Sequence, residues 1–130
     1  MNNIVNERDI QVQHLPGRDL WWLFTPEMKV SESFSMNVVN IKPGATVSPA
    51  HSHPTKEEII YVVSGTGKAY IDGKVHDISG GTAVLFPKGS IHMLRNTGDV
   101  DMKVCCFFTP QATMADYEFH ESVVFPENQN

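Results

Sequence analysis

Three histidines and a glutamate stand at spacings that would let them bind one metal ion. His51 and His53 are separated by a single residue, and Glu58 opens the apolar run that follows Pro54. In extended chain, residues i and i+2 point to the same side, so one backbone segment can present both imidazoles to one point. Imidazole and carboxylate ligands together suit manganese, iron, nickel, copper or zinc. The pattern predicts one divalent transition metal as cofactor.

Glu58 is the residue that most strongly indicates a cation. It shares a strand face with Ile60 and Val62, which are typical of a barrel interior. Buried carboxylates are rare because the lost hydration must be compensated by a cation or by hydrogen bonds. We therefore expect Glu58 to face the interior and to bind the metal together with the two imidazoles.

A third imidazole, His92, follows a turn at Pro87-Lys88-Gly89 and begins another strand. That position lets it face the same interior, so His92 is predicted as the fourth ligand. The remaining histidines have no ligand-like neighbours and are interpreted as surface or hydrogen-bonded core residues: His14, His76 and His120.

The elements that must position these residues read as short strands between turns rich in glycine and proline. Strands are predicted over residues 10–14, 20–24, 34–41, 58–63, 68–71, 83–86, 92–96 and 102–109. Asp72-Gly73 between two β-rich runs indicates a hairpin, and a short helix is expected only near residues 112–117. Many short strands without a long helical period favour an all-β fold, an antiparallel sandwich or barrel.

At these residues the sequence resembles the cupin superfamily. The family's first motif reads glycine, five residues, His-x-His, three or four residues, glutamate, six residues, glycine. It is supplied by Gly44, His51, His53, Glu58 and Gly65, with one extra residue between Gly44 and His51. Glu57 would also satisfy the spacing to the histidines, but only Glu58 keeps the six-residue step to Gly65.

The second cupin motif lies downstream. It reads glycine, five residues, Pro-x-Gly, two residues, histidine, three residues, asparagine. It is matched without departure by Gly81, Pro87, Gly89, His92 and Asn96. A match in both motifs is specific, although together they span less than half of the chain.

The resemblance implies a double-stranded β-helix, a jelly-roll-like barrel with the metal inside. It implies one cupin domain over residues 1–130, with N-terminal strands in 1–43, the motif core in 44–96 and a C-terminal strand and tail in 101–130. Small cupins commonly dimerise through N-terminal strands, so a homodimer is expected. Trp21 or Trp22 would cover its interface, since interfaces favour tryptophan.

The amino-acid composition argues against two classes of binding partner, nucleic acids and membranes. A formal charge of −5 and the absence of a Lys/Arg run argue against nucleic acid, which needs a concentrated basic patch. No apolar window approaches the roughly 20 residues of a membrane-spanning helix, so no membrane partner and a cytoplasmic location are expected. The adjacent Cys105 and Cys106 would point to opposite faces of a strand and are predicted to stay unpaired.

Three functions fit this pattern. The leading hypothesis is a metal-dependent enzyme acting on a small organic molecule, a dioxygenase or related oxidoreductase, in which Glu58 would also move a proton. The first alternative is redox-neutral isomerase, lyase or decarboxylase chemistry on a sugar or carboxylic acid, with the ion as Lewis acid. The second is a binding or sensor module that captures a small molecule without turnover. Asn40 is a weaker candidate to line the pocket, and Tyr61 or Tyr70 could supply a phenolic acid or hydrogen-bond donor.

Overall fold

Alternating burial along the strands divides each sheet of this protein into an inner and an outer face. The structure is a computed structural model that describes residues 3–127. In strand β5 (Glu57–Ser64), Glu58, Ile60 and Val62 are buried, while the residues between them are exposed. Strand β10 (Met102–Thr109) alternates in the same way. Both strands therefore present one face to a common interior.

The predicted all-β fold is confirmed. Within residues 3–127 there are eleven strands, and the helices are limited to single 3₁₀ turns. The remaining strands are β1 (Gln13–Leu15), β2 (Arg18–Phe24), β3 (Ser35–Ile41), β4 (Ala50–Ser52), β6 (Thr66–Ile71), β7 (Lys74–Ser79), β8 (Ala83–Phe86), β9 (His92–Asn96) and β11 (Glu118–His120). They form two antiparallel sheets, ordered β1-β2-β3-β10-β5-β8 and β11-β4-β9-β6-β7. This is the jelly-roll-like cupin barrel that the motifs predict.

The inner faces of the two sheets form the hydrophobic core. Its largest fully buried apolar side chains are Phe86, Phe108, Leu20, Ile41, Ile60 and Met102. Several polar side chains lie in the same interior, among them Asn37, His53 and Glu58. Buried polar groups need partners, so these residues mark the part of the interior where chemistry can occur.

The hairpin predicted at Asp72-Gly73 joins β6 to β7. Asp72 has φ 45° and Gly73 φ 92°, and Ile71 is paired with Lys74 across the turn. Two consecutive residues with positive φ are what a two-residue hairpin turn matching the strand twist requires.

Other boundaries differ from the sequence prediction. The first predicted strand, 10–14, is shifted to β1, and a 3₁₀ turn at Glu7–Asp9 precedes it. The helix expected near 112–117 is a single 3₁₀ turn, Met114–Asp116, which begins with a capping box at Thr113 and ends at Tyr117, where the backbone is extended. Strands β4 and β11 were not predicted, since each has only three residues and no alternation to detect.

Three further expectations can be checked on this fold. Cys105 and Cys106 are free, as predicted, with Cys106 buried and Cys105 half-buried. Within residues 3–127, no helix has the length and apolar character to cross a membrane. The ends of the expected domain, residues 1–2 and 128–130, lie outside the described residues.

Asn96, the last residue of the second motif, holds the β9–β10 turn against β3. Its amide nitrogen donates to the carbonyls of Ile41 (2.8 Å) and Val100 (2.7 Å), and its amide oxygen accepts from the backbone of Gly98 (2.9 Å). The side chain is fully buried. Only an amide supplies donors and an acceptor at these positions, which explains the asparagine of the motif.

We expect Asn96→Ala to lower the free energy of unfolding by about 3 kcal/mol, because it leaves buried backbone groups without partners. Urea denaturation monitored by circular dichroism measures the change. Thr97→Ala, a truncation at the exposed neighbouring position, is the control and should stay within about 0.5 kcal/mol of the parent. Equal stability of the two variants would contradict this role for Asn96.

Candidate metal centre

The four predicted ligand residues meet between the two sheets. His51 lies in β4, His53 follows it by two residues, Glu58 lies in β5 and His92 begins β9. The β4–β9 pairing places His51 directly opposite His92. All four side chains are buried, and one ligand atom from each lies within 4.8 Å of the others.

The polar atoms at this centre fit a cation. Nε2 of His53 and Nε2 of His92 each lie 3.1 Å from Oε1 of Glu58. These contacts lack hydrogen-bond geometry, and all three atoms are buried without a hydrogen-bond partner. Unpaired buried polar atoms are costly, and an ion bound at their centre would satisfy all three together. The cluster could therefore hold a metal ion.

Backbone carbonyls orient two of the imidazoles. Nδ1 of His92 donates to the carbonyl oxygen of Ser90 (3.1 Å), and Nδ1 of His51 donates to that of Pro49 (3.4 Å). With Nδ1 as the donor, Nε2 carries the lone pair. Such bonds from the second ring nitrogen are the usual way in which proteins orient a metal-binding histidine.

Aromatic rings pack against all three imidazoles. Phe86 stacks on His92, with ring centroids 4.0 Å apart and planes 7° apart. Tyr117 stacks on His51 at 4.9 Å, and Phe108 meets His53 edge-on at 5.0 Å. Close packing of this kind limits the rotamers of the ligand side chains, so the centre is preorganised.

The protonation states at the centre suit metal binding. Burial acts to raise the pKa of Glu58, but its contacts with His53 and His92 act the other way and hold that pKa well below its ordinary value. Burial and the neighbouring His92 lower the pKa of His51 well below its ordinary value. At neutral pH the site thus offers an ionised carboxylate and at least one neutral imidazole, the forms that bind metal ions.

Glu57, the alternative carboxylate, is excluded by geometry. It is exposed on the outer face of β5, whereas Glu58 is 6% exposed and faces the imidazoles. The period of two along a strand decides between these neighbours.

A small cavity adjoins the cluster of His51, Glu58 and His92. Its lining includes residues that the sequence did not identify. It has a volume of about 30 Å³, roughly enough for two water molecules. Besides the metal-site residues, its polar lining comprises Arg18, Asn37, Cys106 and Tyr117. The cavity can hold a reacting group, but not a whole organic substrate.

For three of these residues, Arg18, Tyr117 and Asn37, there is a physical explanation of what the sequence did or did not reveal. Arg18 follows a Pro-Gly turn, where a charged residue usually faces solvent, and Tyr117 was placed at the end of a helix. Asn37 shares the inward phase of Val39 and could have been found from it. Its amide atoms are buried without partners, so they are free to bind water or a ligand.

The weaker candidates lie elsewhere. Asn40 is on the opposite face of β3 and donates to Asp101 at 3.1 Å. Tyr61 is 47% exposed on the outer face of β5. Tyr70 packs against Phe125, with ring centroids 6.2 Å apart. The prediction that Asn40 lines the pocket is wrong, because its side chain lies on the outer face of β3. The tyrosine that lines the cavity is Tyr117.

Comparison with known proteins gives the family. Residues 37–108 match the family described as "Cupin domain". The chain belongs to the cupin family. The matched residues include both motifs, from Gly44 to Asn96.

Relatives of this cupin include two proteins from Streptomyces. Protein SchB of Streptomyces halstedii is 34% identical over 113 residues, covering 87% of this chain and 81% of that protein. Polyketide synthase CurC of Streptomyces cyaneus is 29% identical over 109 residues, covering 84% and 70%. Among solved structures, the polyketide cyclase RemF of Streptomyces resistomycificus superposes with a TM-score of 0.75 at 18% identity, covering 98% of this chain and 89% of that chain.

Proposed function

We propose that this cupin is a metal-dependent enzyme carrying out redox-neutral chemistry on a polyketide-type small molecule, one rich in carbonyl groups. The proposed ligands are His51, His53, Glu58 and His92. The observation that carries the proposal is the set of buried ligand atoms within 4.8 Å of one another, three of them without hydrogen-bond partners, beside a cavity with polar lining. Manganese, iron, nickel, copper and zinc all suit this ligand set.

The relatives favour redox-neutral chemistry. CurC is named a polyketide synthase and RemF a polyketide cyclase. In a cyclisation, a carbon flanked by carbonyl groups loses a proton and attacks another carbonyl carbon, whose oxygen gains a proton. The new hydroxyl and a neighbouring proton then leave as water, so a double bond forms and no oxidant is consumed. A bound divalent ion supplies Lewis-acid polarisation of a carbonyl oxygen.

Tyr117 and Glu58 have different proposed roles in this reaction. Tyr117 lines the cavity, and burial together with the nearby Glu58 carboxylate raises the pKa of its phenol. It therefore keeps its proton and can donate a hydrogen bond to a substrate oxygen. Glu58 is proposed chiefly as a ligand, because the contacts that lower its pKa make it a weak base. Its expected role in moving a proton stays a prediction.

The other expected functions also stay predictions. Dioxygenase chemistry would use the same ligand set with an open coordination position, and a sensor would bind a ligand there without converting it. The dioxygenase and the sensor would use the same centre as the proposed enzyme. Oxygen consumption distinguishes the dioxygenase from it, and the absence of a product distinguishes the sensor.

We propose further that the chain forms a homodimer through the outer face of the larger sheet. The interface expected through the N-terminal strands, covered by Trp21 or Trp22, stays a prediction, and Trp22 packs on Phe108 with ring centroids 5.8 Å apart. Exposed apolar side chains meet on the outer face of the larger sheet across β10, β5 and β8: Ile59, Tyr61, Val63, Leu85 and Phe107. Exposed apolar patches of this kind mark interfaces. A second copy fits this surface because it carries no charged side chain at its centre, so two copies can meet without burying like charges.

Metal binding is tested by elemental analysis of protein purified without a chelating tag. We expect about one equivalent in the parent. Loss of a ligand in His51→Ala or His92→Ala should weaken binding by at least 10 to 100-fold, the range seen for residues that merely support ligands. His76→Ala, which removes an exposed histidine of β7, is the matched control and should keep its metal. Full occupancy of His92→Ala would contradict the assignment.

The reaction is tested with a linear triketone incubated with and without oxygen. We expect the metal-loaded protein to give a product lighter by one water at the same rate in both cases, as mass spectrometry measures. Metal-free protein should be inactive, because the polarised carbonyl is lost. Stoichiometric oxygen uptake would instead support the dioxygenase, and tight binding without product would support the sensor.

The dimer is tested by sedimentation. The parent should have the mass of two chains, and Leu85→Lys should sediment as a monomer, because it places a charge in the buried interface. Val124→Lys changes an apolar residue that is 77% exposed elsewhere, so this control should stay dimeric. A monomeric parent refutes the interface.

A further inference from the structure

Arg18 is a buried positive charge that forms no ion pair with any described residue. Its residue is 7% exposed, and one guanidinium nitrogen donates to the carbonyl oxygen of Pro16 at 3.1 Å. None of the ion pairs formed within residues 3–127 includes Arg18. The nearby Glu58 carboxylate is already in contact with His53 and His92. Burying an unpaired charge is destabilising, so the fold retains this guanidinium at a cost.

The guanidinium lies where a substrate would enter. Arg18 lines the cavity beside the proposed metal site, and it also lines a larger neighbouring pocket of about 240 Å³. Tyr117, whose ring stacks on His51, lies close to the guanidinium and lines the same cavity. On its other side the guanidinium contacts Pro16, which belongs to the larger pocket. Arg18 thus lies at the junction of the two spaces.

The larger pocket is mainly apolar. The apolar part of its lining comprises Leu15, Pro16, Pro49, Met114 and Phe119, and its two charged residues are the buried Arg18 and the exposed Glu121. A pocket with an apolar wall and a single convergent cation suits a ligand that has an apolar body and an anionic end. Among anions, a carboxylate matches the planar fork of an arginine best.

We propose that Arg18 and the Tyr117 hydroxyl bind a carboxylate group of the substrate, whose apolar body occupies the pocket beside the cavity. This inference rests on the proposed function insofar as it names the substrate class of the same site: carbonyl compounds that carry a carboxylate. Binding of the carboxylate itself does not require the metal. With the carboxylate bound at the junction and the apolar body in the larger pocket, a carbonyl group of the substrate would reach into the cavity beside the proposed ligands.

The test compares benzoate with benzamide, which has the same shape without the charge. Isothermal titration calorimetry is carried out on metal-loaded and metal-free protein. We expect the parent to prefer benzoate by about tenfold or more, the difference typical of one hydrogen-bonded charge. Arg18→Met should lose this preference in both forms while its metal content stays that of the parent.

Thermal unfolding separates a binding arginine from a structural one. Since Met removes a buried unpaired charge and keeps the apolar stem, ligand-free Arg18→Met should melt at or above the temperature of the parent. Benzoate should raise the melting temperature of the parent and not that of the variant. Arg95→Met is the matched control: Arg95 is already paired with Glu127 at 2.8 Å, so its loss should leave benzoate binding unchanged.

Tyr117→Phe keeps the ring on His51 and removes only the hydroxyl. It should weaken benzoate several-fold and benzamide less, because a hydrogen bond to a charged acceptor is stronger than one to a neutral carbonyl. This variant keeps the inference testable if Arg18→Met does not fold. An unchanged preference for benzoate in either variant overturns the inference. If the metal-free parent keeps the preference while no metal binds, the carboxylate site stands and the proposed function fails. If metal binds fully and the parent shows no preference, this inference alone fails.

Discussion

A carboxylate held inside a β-barrel is the constraint on which the rest of this structure depends. Glu58 lies on the same strand face as Ile60 and Val62, in an interior otherwise built for apolar side chains. When the Glu58 carboxylate is ionised in this interior, positive or polarised groups within a few ångströms must compensate its negative charge. The imidazoles of His53 and His92 lie at that distance, and their unpaired nitrogens leave room for a cation between them.

This constraint also fixes the register of the sheet. A slip of one residue in β5 would turn Glu57, Ile59 and Tyr61 inward and place Glu58 in solvent. The pairings of β5 with β10 and β8 therefore position the carboxylate as much as they form the core. The β4–β9 pairing does the same for His51 and His92 from the opposite sheet. Packing and chemistry depend on the same strand contacts.

The sequence allowed the fold and the cluster to be predicted where a periodic pattern or a motif carried the information. Glu58 could be chosen over Glu57 because alternation and motif spacing agree, and the Asp72-Gly73 hairpin follows from turn chemistry. Strands of three residues have no period to read, so β4 and β11 were missed. Arg18 and Tyr117 come together only through tertiary packing, and their own neighbours in sequence give no indication of it.

The centre and its surroundings come from different parts of the chain. The four candidate ligands lie between residues 51 and 92, whereas Arg18, Met114, Tyr117 and Phe119 reach the site from flanking segments. These segments contribute little to the largest buried side chains of the core. Selection, natural or in the laboratory, can therefore vary pocket residues such as Leu15, Met114 and Phe119 to admit new molecules while the four candidate ligands and the ring of Tyr117 on His51 are kept. In this architecture, specificity and reactivity are free to evolve separately.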